Sequence, residues 1–361
     1  MTKMIESMPP VSVGEYLSRE RKTPNTQFKN HTFTLRGRDA IALAVRHFSL
    51  KERSTILFPG YLCPIIVRGF SDRFNFEYYD TGRDFSIDAG AIEPLLRGQN
   101  VKVLYLIHYF GFLHRNLDQL SKLCRKHGVL LWEDHAHSGL SRISYDFADA
   151  MIFSFRKILP VPDGGGLWLR NTPPIQISSG GFSSTVSSML ILARRSRWAM
   201  SKGLRARTGQ IARLSTASVH EGSKQIVPSR VSYISKRKVL SVDLERAFAV
   251  RRDIFGRWQH LLDDSRFEPV FATLPDDICP QGFPIWIRNG RELVRNLQDF
   301  DVFLKVHWPL HARMKERCPT AFDVSQSIIT LPIYPGLQAR DMERILTLLG
   351  RYGEPLAAEG D

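Results

Sequence analysis

The chain has 361 residues, 43% of them apolar and 24% charged, with 25 glycines and 20 prolines spread along it. This composition excludes a mostly disordered chain, a collagen-like fibre and a small disulfide scaffold, and at roughly 150 residues per domain the length fits about two domains. Lys and Arg total 50 against 36 Asp and Glu, a formal charge of +14, which favours anionic partners without choosing among nucleic acid, phosphorylated metabolites and acidic membranes.

Residues 1–30 are polar and Pro-containing and read as an N-terminal arm with a short helix. They lack the continuous apolar stretch of a secretory signal, and no window approaches the roughly 20 apolar residues of a membrane span. A cytoplasmic protein without an integral membrane segment is therefore expected. From residue 38 helical and strand-like segments alternate. DAIALAVRHFSL (39–50) repeats as a helix and STILFPG (54–60) as a strand. IIVRGFSDR is a helix candidate, and FNFEYYD a strand ending in Asp80. IDAGAIEPLLRG (87–98), VKVLYLIHYFG (101–111), LDQLSKLCRKHG (117–128) and VLLWED (129–134) continue the alternation, and AMIFSF (150–155) and GGLWLR (165–170) add two strands. Continuous apolar strands separated by helices predict a mainly parallel sheet covered on both faces.

Residues 171–235 differ: a Ser/Gly-rich segment precedes LILARRSRWAMSKGLRARTGQIARL, with six basic residues between Arg194 and Arg207. A basic helical excursion is expected at about 180–215. Its charges fit a solvated helix face, an anion-attracting surface or, with Trp198, peripheral membrane contact. One long amphipathic helix is predicted over 240–262, followed by shorter strands and helices. The expected organisation is an arm (1–30), a large α/β domain (31–235) and a smaller C-terminal α+β domain (236–361). Cys63, Cys124, Cys279 and Cys318 form no C-x-x-C pair, so reduced thiols are expected and no metal site.

In parallel sheets ligands sit beyond the carboxyl ends of strands, which directs attention to Pro59–Tyr61, His108–Gly111, Asp134–His137 and Ser154–Lys157. Asp134 ends the apolar run VLLWED, and Lys157 follows AMIFSF 23 residues later. A buried amine loses its charge through desolvation and becomes a Schiff-base former. A carboxylate and an amine on neighbouring strand ends suit pyridoxal phosphate, the acid keeping the pyridine nitrogen protonated. The same spacing also fits a structural ion pair.

The segments GRDAIALAV, WEDHAHSGL, FSFRKILPVPDGGGLWL, VHWPLH and LPIYPGL, in this order, resemble the DegT/DnrJ/EryC1/StrS family of pyridoxal-phosphate-dependent, fold-type-I sugar aminotransferases. The resemblance covers residues 33–170 and the C-terminal module, 280–350. It implies that Lys157 is the Schiff-base lysine and proton shuttle, that Asp134 pairs with the pyridinium nitrogen, and that His137 meets the cofactor's phenolic oxygen. Ser154 matches a serine on the cofactor phosphate, three residues before the lysine where many relatives have a longer gap. Gly37, Arg38 and Asp39 fall at a turn opening a helix, where free N–H groups receive a phosphate; an ordinary helix start is the alternative. Tyr61 is the candidate for the aromatic residue near the ring, with Cys63 the position that several members would use and packing the alternative role. His108, His307, Trp308 and His311 read as packing or entrance residues. Asp163–Gly166 resembles an acidic-Gly-Gly turn, where only glycine admits close backbone approach. Many relatives carry an Asn-x-Arg element that reaches the partner subunit; the nearest text, SRVSYISKRK (229–238), lacks that Asn.

The resemblance implies a homodimer with its sites between subunits. It also implies transfer of an amino group, from glutamate as donor, to a nucleotide-linked keto-sugar in surface polysaccharide or secondary-metabolite sugar synthesis. The rival readings are a sugar dehydratase or eliminase using the same cofactor, and a non-catalytic anion-binding descendant. No nucleic-acid-binding motif accompanies the charge, so nucleic acid is not expected as a partner.

Overall fold

The structure, a computed structural model, describes residues 5–6, 26–70, 73–178, 226–263 and 265–356. The basic stretch 194–207 and the excursion expected at 180–215 lie outside the described residues, as do residues 7–25 of the arm. In chain order come β1 (Ile5–Glu6), β2 (Thr32–Thr34), α1 (Gly37–His47), β3 (Thr55–Pro59), α2 (Pro64–Phe70), β4 (Asn75–Tyr79), α3 (Ala89–Leu96), β5 (Val101–Ile107), α4 (Leu117–His127), β6 (Leu130–Asp134), β7 (Ala150–Phe153), the single turn α5 (Phe155–Ile158) and β8 (Gly165–Leu169). After the undescribed segment follow α6 (Tyr233–Leu240), α7 (Leu244–Leu262), β9 (Gly282–Trp286), α8 (Gly290–Asn296), β10 (Val302–Phe303), α9 (Met314–Arg317), α10 (Pro319–Ser327), β11 (Ile328–Pro332) and α11 (Ala339–Tyr352).

Seven strands form one sheet in the order β2-β8-β7-β6-β5-β3-β4. β4, β3, β5, β6 and β7 run parallel, and β8 is antiparallel to both its neighbours. Strand side chains alternate between faces, and the packing follows that alternation. Ile56, Phe58, Val103 and Tyr105 join α1 in one apolar cluster, while Leu57, Leu104, Leu106 and Leu131 join α3 and α4 in another. Helices thus cover both faces, as the continuous apolar strands predicted. Local signals set the helix ends: Asp88 accepts the Gly90 N–H at 2.8 Å to open α3, and Gly128, with φ of 64°, closes α4 in the left-handed conformation.

In the C-terminal part β9 and β11 pair antiparallel, and α7, α8 and α11 pack with them in a separate core around Trp258, Phe283 and Met342. The helix expected over 240–262 is broken at 241–243. α6 ends at Leu240, and Asp243 caps α7 by accepting the Arg246 N–H at 3.1 Å, a competing side-chain hydrogen bond that apolar periodicity does not report. β1 pairs in parallel with β10, tying the start of the chain to its C-terminal part. Among the described residues no helix is long and apolar enough to cross a membrane.

The two parts meet at the carboxyl ends of the parallel strands. The Asp80 carboxylate, just after β4, accepts the N–H groups of Thr320 and Ala321 (both 2.9 Å) and caps α10. Gly111 sits against the segment entering β9: its φ is 103°, and a Cβ there would lie 2.3 Å from the Cys279 carbonyl oxygen. Only glycine serves at that crossing.

Candidate active site

β6 and β7 run side by side with Asp134 opposite Ile152. Their carboxyl ends therefore deliver Asp134 and, one short turn after β7, Lys157 into the same buried space. The Asp134 carboxylate accepts a hydrogen bond from the Tyr105 hydroxyl (2.8 Å) and another from the Ala136 N–H (2.8 Å). Burial pushes its pKa up, and the Lys157 charge opposes that shift. Lys157 responds in the mirror sense: burial lowers its pKa, and the Asp134 carboxylate works against the shift.

The Lys157 Nζ lies 3.3 Å from His137 Nε2, and the Phe110 N–H points at His137 Nδ1 from 3.4 Å. A neutral imidazole that accepts at Nδ1 carries its proton on Nε2. That tautomer points an N–H toward the lysine Nζ. Burial and the neighbouring lysine hold His137 well below its ordinary pKa, in keeping with a neutral ring. Phe110 makes this donation from a positive φ of 53°, a strained conformation for a bulky residue and one that concentrates at functional sites.

Trp308 closes the space on one side. Its ring stacks on His137 with centroids 5.5 Å apart and planes 25° apart, and Nζ of Lys157 is 5.7 Å from its centroid. Tyr61 packs behind it at 5.3 Å and also meets Phe85 and Tyr109. The Tyr61 phenol is buried against the Trp308 backbone. Cys63, two residues on, is within electrostatic range of Lys157, Arg156 and Tyr105.

The start of α1 rests on the end of β7. A Cβ at Gly37 would lie 3.2 Å from the Phe153 carbonyl oxygen and 3.6 Å from the Ser154 Cβ. Ser154 precedes α5, and its hydroxyl makes no hydrogen bond that caps that turn. Burial lowers Arg38 to about 10, with repulsion from Arg36 and Arg156 added, and Arg156 is likewise lowered by burial and by Arg36. Like charges gathered at the first turn of an eleven-residue helix make this corner strongly positive. Asp39 lies within electrostatic range of Arg36 and Arg38. Its carboxyl is held by the N–H groups of Arg36 and Ser229, and burial lifts it to about 6, so it braces the helix start in the manner of a capping box. The glycines after Asp163 serve the same corner: a Cβ at Gly165 would stand 2.3 Å from the Arg36 carbonyl carbon.

Behind Asp134, the preceding residue points to the other face of β6. Glu133 Oε2 lies 2.8 Å from His108 Nε2 and 3.2 Å from His135 Nε2, all three buried and with ligand atoms spaced as a metal would require. Hydrogen bonding decides against that reading. His108 Nδ1 accepts the His114 N–H at 3.2 Å, so its proton resides on Nε2, the atom a metal would need bare. His135 Nδ1 is paired with the Ser138 hydroxyl at 2.8 Å. The group is a carboxylate bridged by two imidazoles; against the effect of burial, the two ring N–H donors hold Glu133 down at about 2.

Of the residues singled out from sequence, Lys157, Asp134 and His137 come together directly, with Gly37, Arg38, Asp39 and Ser154 at the adjoining corner and Tyr61 one layer away. Sequence reasoning gave no weight to Arg156 and Tyr105, and ranked Tyr61 over Cys63 and packing over contact for Trp308. Tyr105 was legible in principle, since alternation along β5 puts it on the face of α1.

Residues 80–175 match the DegT/DnrJ/EryC1/StrS aminotransferase family, the span that holds Asp134, His137, Ser154 and Lys157. The match bears out the family resemblance read from the sequence. No curated protein matches the chain significantly. Among solved structures, a sugar aminotransferase, Spr1654 of Streptococcus pneumoniae in its PLP form, aligns at 14% identity with a TM-score of 0.67, over 97% of this chain and 99% of that one. PseC of Helicobacter pylori, an aminotransferase of pseudoaminic acid biosynthesis, aligns at 16% identity and 0.66, over 97% and 99%. DesI, solved in the presence of its TDP-sugar product, aligns at 14% and 0.67, over 97% and 93%. These likenesses establish the fold, that of the fold-type-I transferases expected from the motifs.

Proposed function

We propose that the chain is a pyridoxal-phosphate-dependent aminotransferase that moves an amino group from glutamate to a nucleotide-linked keto-sugar. It would work as a cytoplasmic homodimer in surface-polysaccharide or secondary-metabolite sugar synthesis. One observation carries the reading: a lysine whose pKa is lowered by desolvation stands within electrostatic reach of a carboxylate on the neighbouring strand end, inside the segment that matches the family.

The residues present fit the cofactor. Lys157 would hold its aldehyde carbon, Asp134 its ring nitrogen and His137 its phenolic side. Ser154, the Gly37 backbone and Arg38, with Arg36 and Arg156 beside them, would hold its phosphate, whose charge relieves their mutual repulsion. When bound, the cofactor supplies an electron sink for the carbon that gains or loses nitrogen. The protein's own work is proton management. Tyr105 and Ala136 fix the Asp134 carboxylate by donating to both of its oxygens. His137 presents Nε2–H toward Lys157, and the lysine Nζ carries a proton to and from substrate as general acid and base. Trp308 and the aromatic residues behind it keep water from that Nζ. A nucleotide-linked acceptor is supported by the TDP-sugar product that accompanies DesI. A second subunit is supported by Tyr233, 77% exposed at the start of α6. The residue before it, Ser232, is engaged with Asp163 (3.0 Å) beside the phosphate corner.

Purified protein should take up pyridoxal phosphate with the visible absorbance of a lysine-bound cofactor, and Lys157→Ala should abolish that band and all turnover while leaving the circular dichroism spectrum unchanged. Transfer of labelled nitrogen from glutamate to sugar identifies transamination; a deoxygenated product without label would identify elimination and overturn this reading.

A further inference from the structure

Arg251, on α7, is 2% exposed, and no carboxylate among the described residues pairs with it. Its guanidinium donates instead to three backbone carbonyls: Ile158 at 2.5 Å, Ile333 at 2.9 Å and Pro280 at 3.3 Å. A buried ion without a counter-ion is costly, and apolar residues of similar size commonly serve stability as well or better. Its retention therefore calls for a job that shape alone does not fill.

The three acceptors define the job. Ile158 is the residue after Lys157 and the last of α5, whose end carbonyls have no partner within so short a helix. Pro280 precedes Gln281, whose N–H donates to the Phe110 carbonyl at 2.7 Å, and Phe110 in turn donates to His137. Ile333 follows β11, where Thr330 pairs with His307 at 2.9 Å, and the His307 ring lies against His137 with centroids 5.7 Å apart. One planar fork thus ties together the backbones that carry Lys157, steer His137 and back it with His307. A lysine ammonium, a point charge on a flexible stem, does not reproduce that fork.

We infer that Arg251 is a positioning residue: from the C-terminal part of the chain it fixes the Lys157 turn against the His137 shelf. Its catalytic consequence rests on the function proposed above, but its geometric one does not, and the test separates the two. Lys157 is faced by Asp134, His137, His307, Arg156 and Cys63, none of which Arg251→Lys or Arg251→Met alters. In the full-length protein without added cofactor, the pH dependence of Lys157 acylation, read by mass spectrometry of its peptide, reports the pKa of the amine. Wild type should titrate below the ordinary lysine value of about 10.4. Both variants should shift the midpoint upward by about one unit as the turn loosens and water enters, Arg251→Lys doing so with the positive charge kept. In the loaded enzyme both should lower kcat at least tenfold, with the KM for the amino donor changed less than threefold. An acylation midpoint equal to wild type in Arg251→Lys, whatever its melting temperature, overturns the inference. If Arg251→Met fails to fold, Arg251→Lys alone decides. If wild type takes up no pyridoxal phosphate, the proposed function fails, while the acylation profile still judges Arg251.

Discussion

At the scale of single residues, the site is built from side chains whose partners fix their charge and orientation. Asp134 shows this best, because Tyr105 and the Ala136 N–H hold both of its oxygens before any ligand arrives. Asp134→Asn keeps shape and one acceptor oxygen but removes the charge that would hold a pyridine nitrogen protonated. Activity should fall by a factor of about 100 or more, roughly 3 kcal/mol of transition-state stabilisation, with the melting temperature within a few degrees of wild type, as steady-state kinetics and thermal denaturation would report. Asp134 and Lys157 were legible in the sequence because a polar residue closing an apolar strand has few reasons to be there. Glu133 was not legible as a buried group. It stands one position earlier in the same run, and only the placement of His108 and His135 beside it reveals what hydrogen-bonds it. Cys63 was ambiguous for a different reason: beyond the end of a strand, periodicity no longer says where a side chain points.

At the scale of elements, the decisive contacts are between backbones. The sequence Asp-Gly-Gly-Gly at 163–166 could be read as a turn needing close approach, and the close approach is that of Arg36, whose carbonyl carbon lies over Gly165. Gly165→Ala would force the start of α1 away from β8. A loss of about 2–3 kcal/mol is expected by chemical denaturation, together with weakened retention of pyridoxal phosphate under dialysis, since the same helix start faces Ser154. The parallel sheet and its helical cover followed from apolar periodicity, which is why both faces of the sheet were anticipated, whereas the strand order was not. The break between α6 and α7 was hidden because Ser241, Val242 and Asp243 interrupt the helix through a side-chain hydrogen bond and not through a change in the apolar pattern.

At the scale of the whole molecule, a set of buried histidines makes stability depend on pH. Burial lowers His31 to about 3, His114 to about 3 and His135 to about 4. Each stays neutral in the fold while the unfolded chain binds a proton below about 6.5. Their contribution is therefore complete above that pH and is lost progressively as pH falls from about 6.5 toward 3–4. His31 is the clearest test, because its ring is buried among edge-on aromatic neighbours, Phe28, Phe153 and Tyr145, and the desolvation outweighs what the Phe28 backbone returns. His31→Phe should raise stability by about 1–2 kcal/mol at pH 7, and urea titrations should show a shallower decline between pH 6.5 and 4. A variant no more stable than wild type at either pH would refute this account.

The pairing of Ile5–Glu6 with Val302–Phe303 sets a timetable for biosynthesis. β1 leaves the ribosome roughly 300 residues before its partner, which at about 5–20 residues per second is a wait of some 15–60 s. Throughout that interval Ile5–Glu6 has no native mate, so any other unpaired strand edge competes for it before the clasp can close.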